Sequence, residues 1–209
     1  MNGLRSAPSV PPIRPAGAHD HKTIIAVLAE GFLHGDFAPW LVSDLADRER
    51  IYPAYFELCM ERAFAHALIE VTDDLGGVAI WYPYDGRDIP DSTPGYDERL
   101  KEITGPYHDH FLALDSSTTA RHPQEPHHYL AWVVVHPQWH NRGYGTALIR
   151  HHHAQLDGEG GIGLPVYLEA TGDRNEALYQ RLGYRSLLSF PVDAGDDAPR
   201  LRPMMRDPQ

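Results

Sequence analysis

Apolar positions change their period several times along the chain, and each change marks an element. "VPPIRPA" (10–16) is extended and proline-rich, which suits a short edge strand. From Asp20 onward, Ile24, Ile25, Leu28 and Phe32 recur at helical spacing, with Asp20 as the cap and an end near Gly35. A second helical pattern covers 47–67, with Tyr55, Leu58, Cys59, Arg62 and His66 along it and Pro53 disfavouring its first turn. "HALIEVTDD" and "GVAIWYPY" read as strands joined by a glycine-containing turn, a hairpin. Residues 85–95 read as loop and 96–114 as an amphipathic helical stretch broken at Gly105-Pro106; a polar linker, 115–128, follows. "YLAWVVV" (129–135) predicts a central strand and 146–156 a helix. A glycine-rich connection leads to a strand at "VYLEA" (166–170), then a helix from Asp173 stopped by Gly183. "YRSLLSFPV" predicts the last strand. The flanks, 1–9 and 193–209, read as flexible tails around a single domain over 10–192. The order of elements predicts an α/β (α+β) domain with a mixed sheet.

Composition narrows the function. The 209 residues suffice for one well-packed domain. A formal net charge of −11 argues against nucleic acid and anionic membranes as partners and is compatible with a cationic substrate. The single cysteine, Cys59, sits in an apolar context and reads as a small buried hydrophobe. No run of about 18 apolar residues predicts a membrane span, and the N-terminus lacks the apolar core of a signal peptide, so a cytoplasmic location is expected. Fourteen histidines invite a metal reading. "HHH" (151–153), however, lies on a predicted helix, where consecutive side chains fan around the axis and do not converge on one ion. Solvated or interface histidines are expected, and no metal site.

The most informative stretch is "VVVHPQWHNRGYGTALI", where a strand hands over to a helix through two glycines. Phosphates bind at such turns, because helix N-terminal amides are unsatisfied and glycine admits close approach. A P-loop needs a Gly-Lys pair that is missing here. The dinucleotide fingerprint needs glycine where Leu148 stands, although Glu169 lies roughly where a ribose-binding acid belongs, so a nucleotide-binding module stays as a minor alternative.

A third design fits better. His140-Asn141-Arg142-Gly143-Tyr144-Gly145 resembles the acyl-CoA turn of the GNAT acetyltransferases, Gln/Arg-x-x-Gly-x-Gly/Ala, with His140 at the Gln/Arg position. "IRPA" resembles that family's first strand, "GVAIWYP" its third, and "VYLEATGDRNEALYQRLGYR" its fifth strand, following helix and next strand start. About 180 residues fit in order.

The resemblance implies a central, mostly antiparallel twisted sheet whose fourth and fifth strands splay apart. It implies acetyl-CoA as cosubstrate, held by His140, Asn141, Arg142, Gly143, Tyr144, Gly145 and Thr146 and by the strand backbone at Val133, Val134 and Val135. Asn175 and Tyr179, four apart on one helix face, then touch the CoA arm, and Tyr179 protonates the departing thiolate. Glu169 is the candidate base for the amine and His128 a further one; a salt-bridged or surface role for Glu169 stays open. The expected activity is transfer of an acetyl group to an amine on a small molecule or peptide, by direct attack in a ternary complex. A non-catalytic acyl-CoA sensor on the same fold is the alternative. A cationic acceptor is expected from the acidic balance, including Asp36, Asp44 and Glu57, and a homodimer is compatible with the pattern.

Overall fold

The computed structural model describes residues 10–87, 93–159 and 161–209. The expected tail at 1–9 and part of the 85–95 loop therefore lie outside the described residues. The described strands are β1 (Ile13–Pro15), β2 (Leu68–Thr72), β3 (Gly77–Tyr84), β4 (His127–Val135), β5 (Val166–Ala170), β6 (Arg185–Ser186), β7 (Phe190–Pro191) and β8 (Arg200–Arg206). The helices are α1 (His21–Phe32), α2 (Ala38–Leu41), α3 (Leu45–His66), α4 (Tyr96–Thr104), α5 (His108–Thr119), α6 (Tyr144–Asp157) and α7 (Asp173–Arg181). They build a mixed sheet in the order β1-β2-β3-β4-β5-β8-β6, with β7 pairing to β8 alongside. Every pairing is antiparallel except β4 with β5. No described helix is long and apolar enough to cross a membrane.

One face of the sheet carries α1, α3, α4 and α5 over a core that includes Ile24, Leu28, Leu58, Val71 and Val134. The other carries α6 and part of α7 over Trp81, Leu130, Leu148, Val166 and Leu168. Gly31 sets how closely α1 approaches β4: a Cβ there would lie 2.0 Å from Cγ2 of Val134. Arg48 is buried in α3 and ties down the α1–α3 connection, donating to the carbonyls of Leu33, Val42 and Ser43.

The β4–β5 junction opens a gap in the sheet. The parallel ladder holds two residue pairs, His128 with Val166 and Tyr129 with Tyr167, and then the strands part. The register of β4 against β3 shifts at the same place, skipping Ala131, which is a β-bulge. Beyond it, His136 N donates to Gly76 O on the β3 side. Strand alternation then turns the backbone of Val133 and Val135 toward the gap and that of Val134 toward β3.

Several sequence-based boundaries change. Residues 193–209 are not a tail, because Arg200–Arg206 forms β8, pairing along all of β5. Its Leu201, Met204 and Arg206 are buried, Arg206 in an ion pair with Asp157. The expected last strand, 184–192, is two short strands interrupted at 187–189, where Leu188 is exposed. The Asp20 side chain does not cap α1; it accepts from both terminal guanidinium nitrogens of Arg14, at 2.7 and 3.0 Å, and clamps β1 to the helix start. The cap of α3 is Asp44, which accepts from Asp47 N, and the helix runs through Pro53. Helix α5 continues to Thr119, five residues into the expected linker. There Thr118 Oγ1 satisfies the Leu114 carbonyl and Ser117 Oγ accepts from Asp193 N, so these polar side chains serve the helix and its neighbour.

Candidate functional site

The turn after β4 ends with Asn141 and Gly143 in the left-handed region, φ 61° and 86°, and α6 begins at Tyr144. That geometry aims the first amides of α6 outward, and none of them has an intrahelical acceptor. Gly145 is the informative position. Its φ is not positive, and a Cβ there would meet Cγ2 of Val135 at 3.7 Å, an ordinary contact. Packing within the chain therefore does not require glycine at 145, whereas close approach of a ligand does. The side chains of the turn divide. Tyr144 faces inward, donating to Asp74 at 2.8 Å and stacking on Trp139, so only its backbone faces the turn. Arg142 lies over the Trp139 ring at 4.9 Å, Asn141 accepts from Arg174, and His140 Nε2 bonds the Val135 carbonyl at 2.8 Å. No side-chain partner is described for Thr146.

On the other side of the gap lies a cavity of about 700 Å³, bounded by β4, β5, α7, α3, α5 and the α1–α2 connection. Val133, Glu169, Asn175 and Tyr179 all line it. Asn175 is oriented by its bond to Thr171 Oγ1 at 3.2 Å. Tyr179 is buried, and burial raises its hydroxyl above the usual phenol range, which keeps it protonated. Glu169 points from β5 into the cavity, and its Oε1 has no hydrogen-bond partner among the described residues. Burial pushes its carboxyl up to about 7, with the neighbouring Tyr167 and Tyr129 hydroxyls pulling it partway back. Val134 is the exception among the valines, since its side chain packs under α1 and its backbone pairs with β3.

Residues 108–186 match the family model of the acetyltransferase (GNAT) domain. The whole fold agrees with a solved structure from Corynebacterium glutamicum, described as histone acetyltransferase HPA2 and related acetyltransferase. Sequence identity is 28%, with 96% of this chain and 97% of that one covered and a TM-score of 0.72. The chain carries a GNAT acetyltransferase domain over residues 108–186. More distant GNAT structures share the fold. A putative arylalkylamine N-acetyltransferase from Aedes aegypti is 14% identical, over 93% of this chain and 86% of that one, at a TM-score of 0.61. The Drosophila melanogaster polyamine N-acetyltransferase, described as forming N-acetylagmatine, is 16% identical, over 94% and 98%, at 0.55.

Not every sequence-based candidate reaches the cavity of this GNAT domain. His128 turns to the opposite face, where its Nδ1 lies 2.9 Å from Nε2 of His152. His152 stacks flat on Trp81 at 3.9 Å, and His153 bonds the Tyr184 hydroxyl. Solvated or interface histidines were expected here; these two are instead buried within the domain, because α6 lays them against the sheet. No metal-binding group of three or more such side chains occurs among the described residues. Of the three acids expected on the substrate side, Asp36 lines the cavity, Asp44 caps α3, and Glu57 lies on the outer surface near His21. Residues that the sequence left unremarked also line the cavity: Asp115, Tyr96, Tyr129 and His122. Asp115 and His122 lay in the supposed polar linker, and nothing in the local pattern signalled that a helix carries Asp115 inward.

Proposed function

We propose that the protein transfers an acetyl group from acetyl-CoA to a primary amine, by direct attack within the cavity between β4 and β5. Gly145, which the fold itself does not need, is the observation that carries this reading, because it stands at the helix start beside the strand gap. The α6 amides and the cleared surface at Gly143 and Gly145 take the pyrophosphate. The backbone of Val133 and Val135 receives the pantetheine amides as an added strand would. Val135's carbonyl is already engaged by His140, leaving its amide and the Val133 groups for this role.

In the reaction, the neutral amine nitrogen bonds to the thioester carbonyl carbon and the carbon–sulfur bond breaks. Glu169 takes the proton that the nitrogen loses, and Tyr179 gives its proton to the departing thiolate. A carboxyl near 7 suits the first task, since about half of it is ionised at neutral pH yet it holds the proton well. A phenol kept protonated by burial suits the second. Asn175 lies one helical turn before Tyr179 on the cavity side and steadies the pantetheine arm. The test is calorimetric titration of acetyl-CoA into wild type and Gly145→Val, with melting curves of both to show that the variant is folded, since a Cβ at 145 meets only an ordinary contact. Equal affinity in the two would remove the proposed cofactor site.

A further inference from the structure

Asp115 lies at the end of the cavity formed by α3, α4 and α5, away from β5. Its Oδ2 accepts from the Tyr96 hydroxyl at 3.1 Å, the one hydrogen bond described for this carboxylate. Around it stand Tyr55, Cys59 and Arg62, with Asp97 near enough to oppose its ionisation. The walls include Tyr52, Tyr55, Tyr82 and Tyr96, and the guanidinium of Arg62 lies over the Tyr82 ring at 5.7 Å. Among the described residues, the charged side chains lining the cavity are Asp36, Asp115, Glu169 and Arg62, three carboxylates against one cation. Burial holds His122 down to about 4, so it adds no positive charge at neutral pH.

Tyr129 lines the same cavity, and its hydroxyl lies within electrostatic reach of both Glu169 and Asp115. Glu169 stands on β5 beside the strand gap, and Asp115 stands on α5 near Tyr55, Cys59 and Tyr96. A buried carboxylate among aromatic rings recognises a cation on an apolar stem, through charge-assisted hydrogen bonding and cation–π attraction. We infer that the acceptor is two-headed, with a primary amine at the Glu169 end and a second cationic nitrogen held by Asp115 and the tyrosines around it. This rests on the acyl-transfer reading and specifies its substrate class. A neutral donor, such as a phenol, also satisfies Asp115, but it leaves the excess negative charge of the lining unbalanced.

The test uses the full chain with acetyl-CoA and measures amine-dependent CoA release. Putrescine, cadaverine and hexamethylenediamine are each compared with the monoamine of the same length, and tyramine is run alongside. The best diamine should exceed its monoamine in kcat/KM by about 10- to 100-fold, the range expected for one added hydrogen bond to a charged group. Asp115→Asn should collapse that ratio toward one, and Tyr96→Phe should reduce it in part. The wild-type ratio stands on its own if the Asp115 variant does not fold. Equal use of diamines and monoamines, or tyramine matching the best diamine, overturns the inference and leaves acyl transfer intact. An unchanged ratio in a folded Asp115→Asn protein does the same. No release with any of these amines overturns the inference, and acetyl-CoA titration then separates a lost substrate class from a lost cofactor site.

Discussion

Replacing Glu169 with glutamine should make the protein more stable at alkaline pH while stopping its chemistry. Burial raises the Glu169 carboxyl to about 7 from an ordinary 4.5. Because the folded value is the higher one, its contribution to stability is whole below about 4.5 and is lost as pH rises through 7. Each unit between the two values corresponds to about 1.4 kcal/mol, so roughly 3 kcal/mol is lost by pH 8, an upper bound where cavity water reaches the carboxylate. Glutamine has nearly the same shape and cannot ionise. The melting temperature of Glu169→Gln should therefore match wild type near pH 5 and exceed it by about 6–12 °C at pH 8, for a chain of this size. Amine turnover should fall by about 10²–10⁴-fold, the usual loss when a general base is removed. Melting curves across that range, paired with turnover at each pH, check both halves. A melting difference that does not change with pH would refute the electrostatic reasoning; unaltered turnover would refute the role of Glu169 as base.

Wild-type kcat/KM for a single amine should rise through pH 7 as Glu169 ionises, and a pH–rate profile flat from 6 to 8 would count against it. Tyr179→Phe should keep acetyl-CoA affinity nearly intact and lower the maximal rate by about 10²–10⁴-fold, less if water replaces the hydroxyl. A rate equal to wild type would leave Tyr179 as packing beside Tyr184. Gly31→Ala, despite alanine's better helix propensity, should destabilise by about 1–3 kcal/mol because its Cβ collides with Val134 under α1; unaltered denaturant midpoints would show that the helix can shift. Truncation after residue 199 should leave no cooperative melting transition, since it removes the strand that pairs along β5, and a folded truncated chain would contradict that role.

Periodicity and punctuation were enough to read the frame of the domain. The β2–β3 hairpin, the strand–glycine turn–helix at β4 and α6, and the Gly183 stop all follow local rules. The bulge at Ala131 and the parting of β4 from β5 did not show, because both depend on which strand lies opposite. Strand β8 was hidden by its composition: "RLRPMMR" has no β-branched residue and a central proline. That proline is accommodated where its carbonyl, not an amide, serves the adjacent chain at Leu187. The turn glycines and the Asn175 and Tyr179 positions were visible as a motif. The far end of the cavity was not, since Asp115 reads locally as one acid in a run of serines and threonines and acquires its surroundings from α3 and α4. Buried His152 and His153 were obscured in the same way, because a histidine triplet on a helix gives no sign of which members face a sheet.

The most direct test of acetyl transfer at the β4–β5 gap is thiol-detected CoA release from acetyl-CoA in the presence of primary amines, with mass spectrometry of the amine product. Amine-dependent release is expected, with an acetylated amine in matching yield and loss of both in Gly145→Val. Binding of acetyl-CoA without release across the amines would contradict it and make the protein a sensor on an acetyltransferase fold.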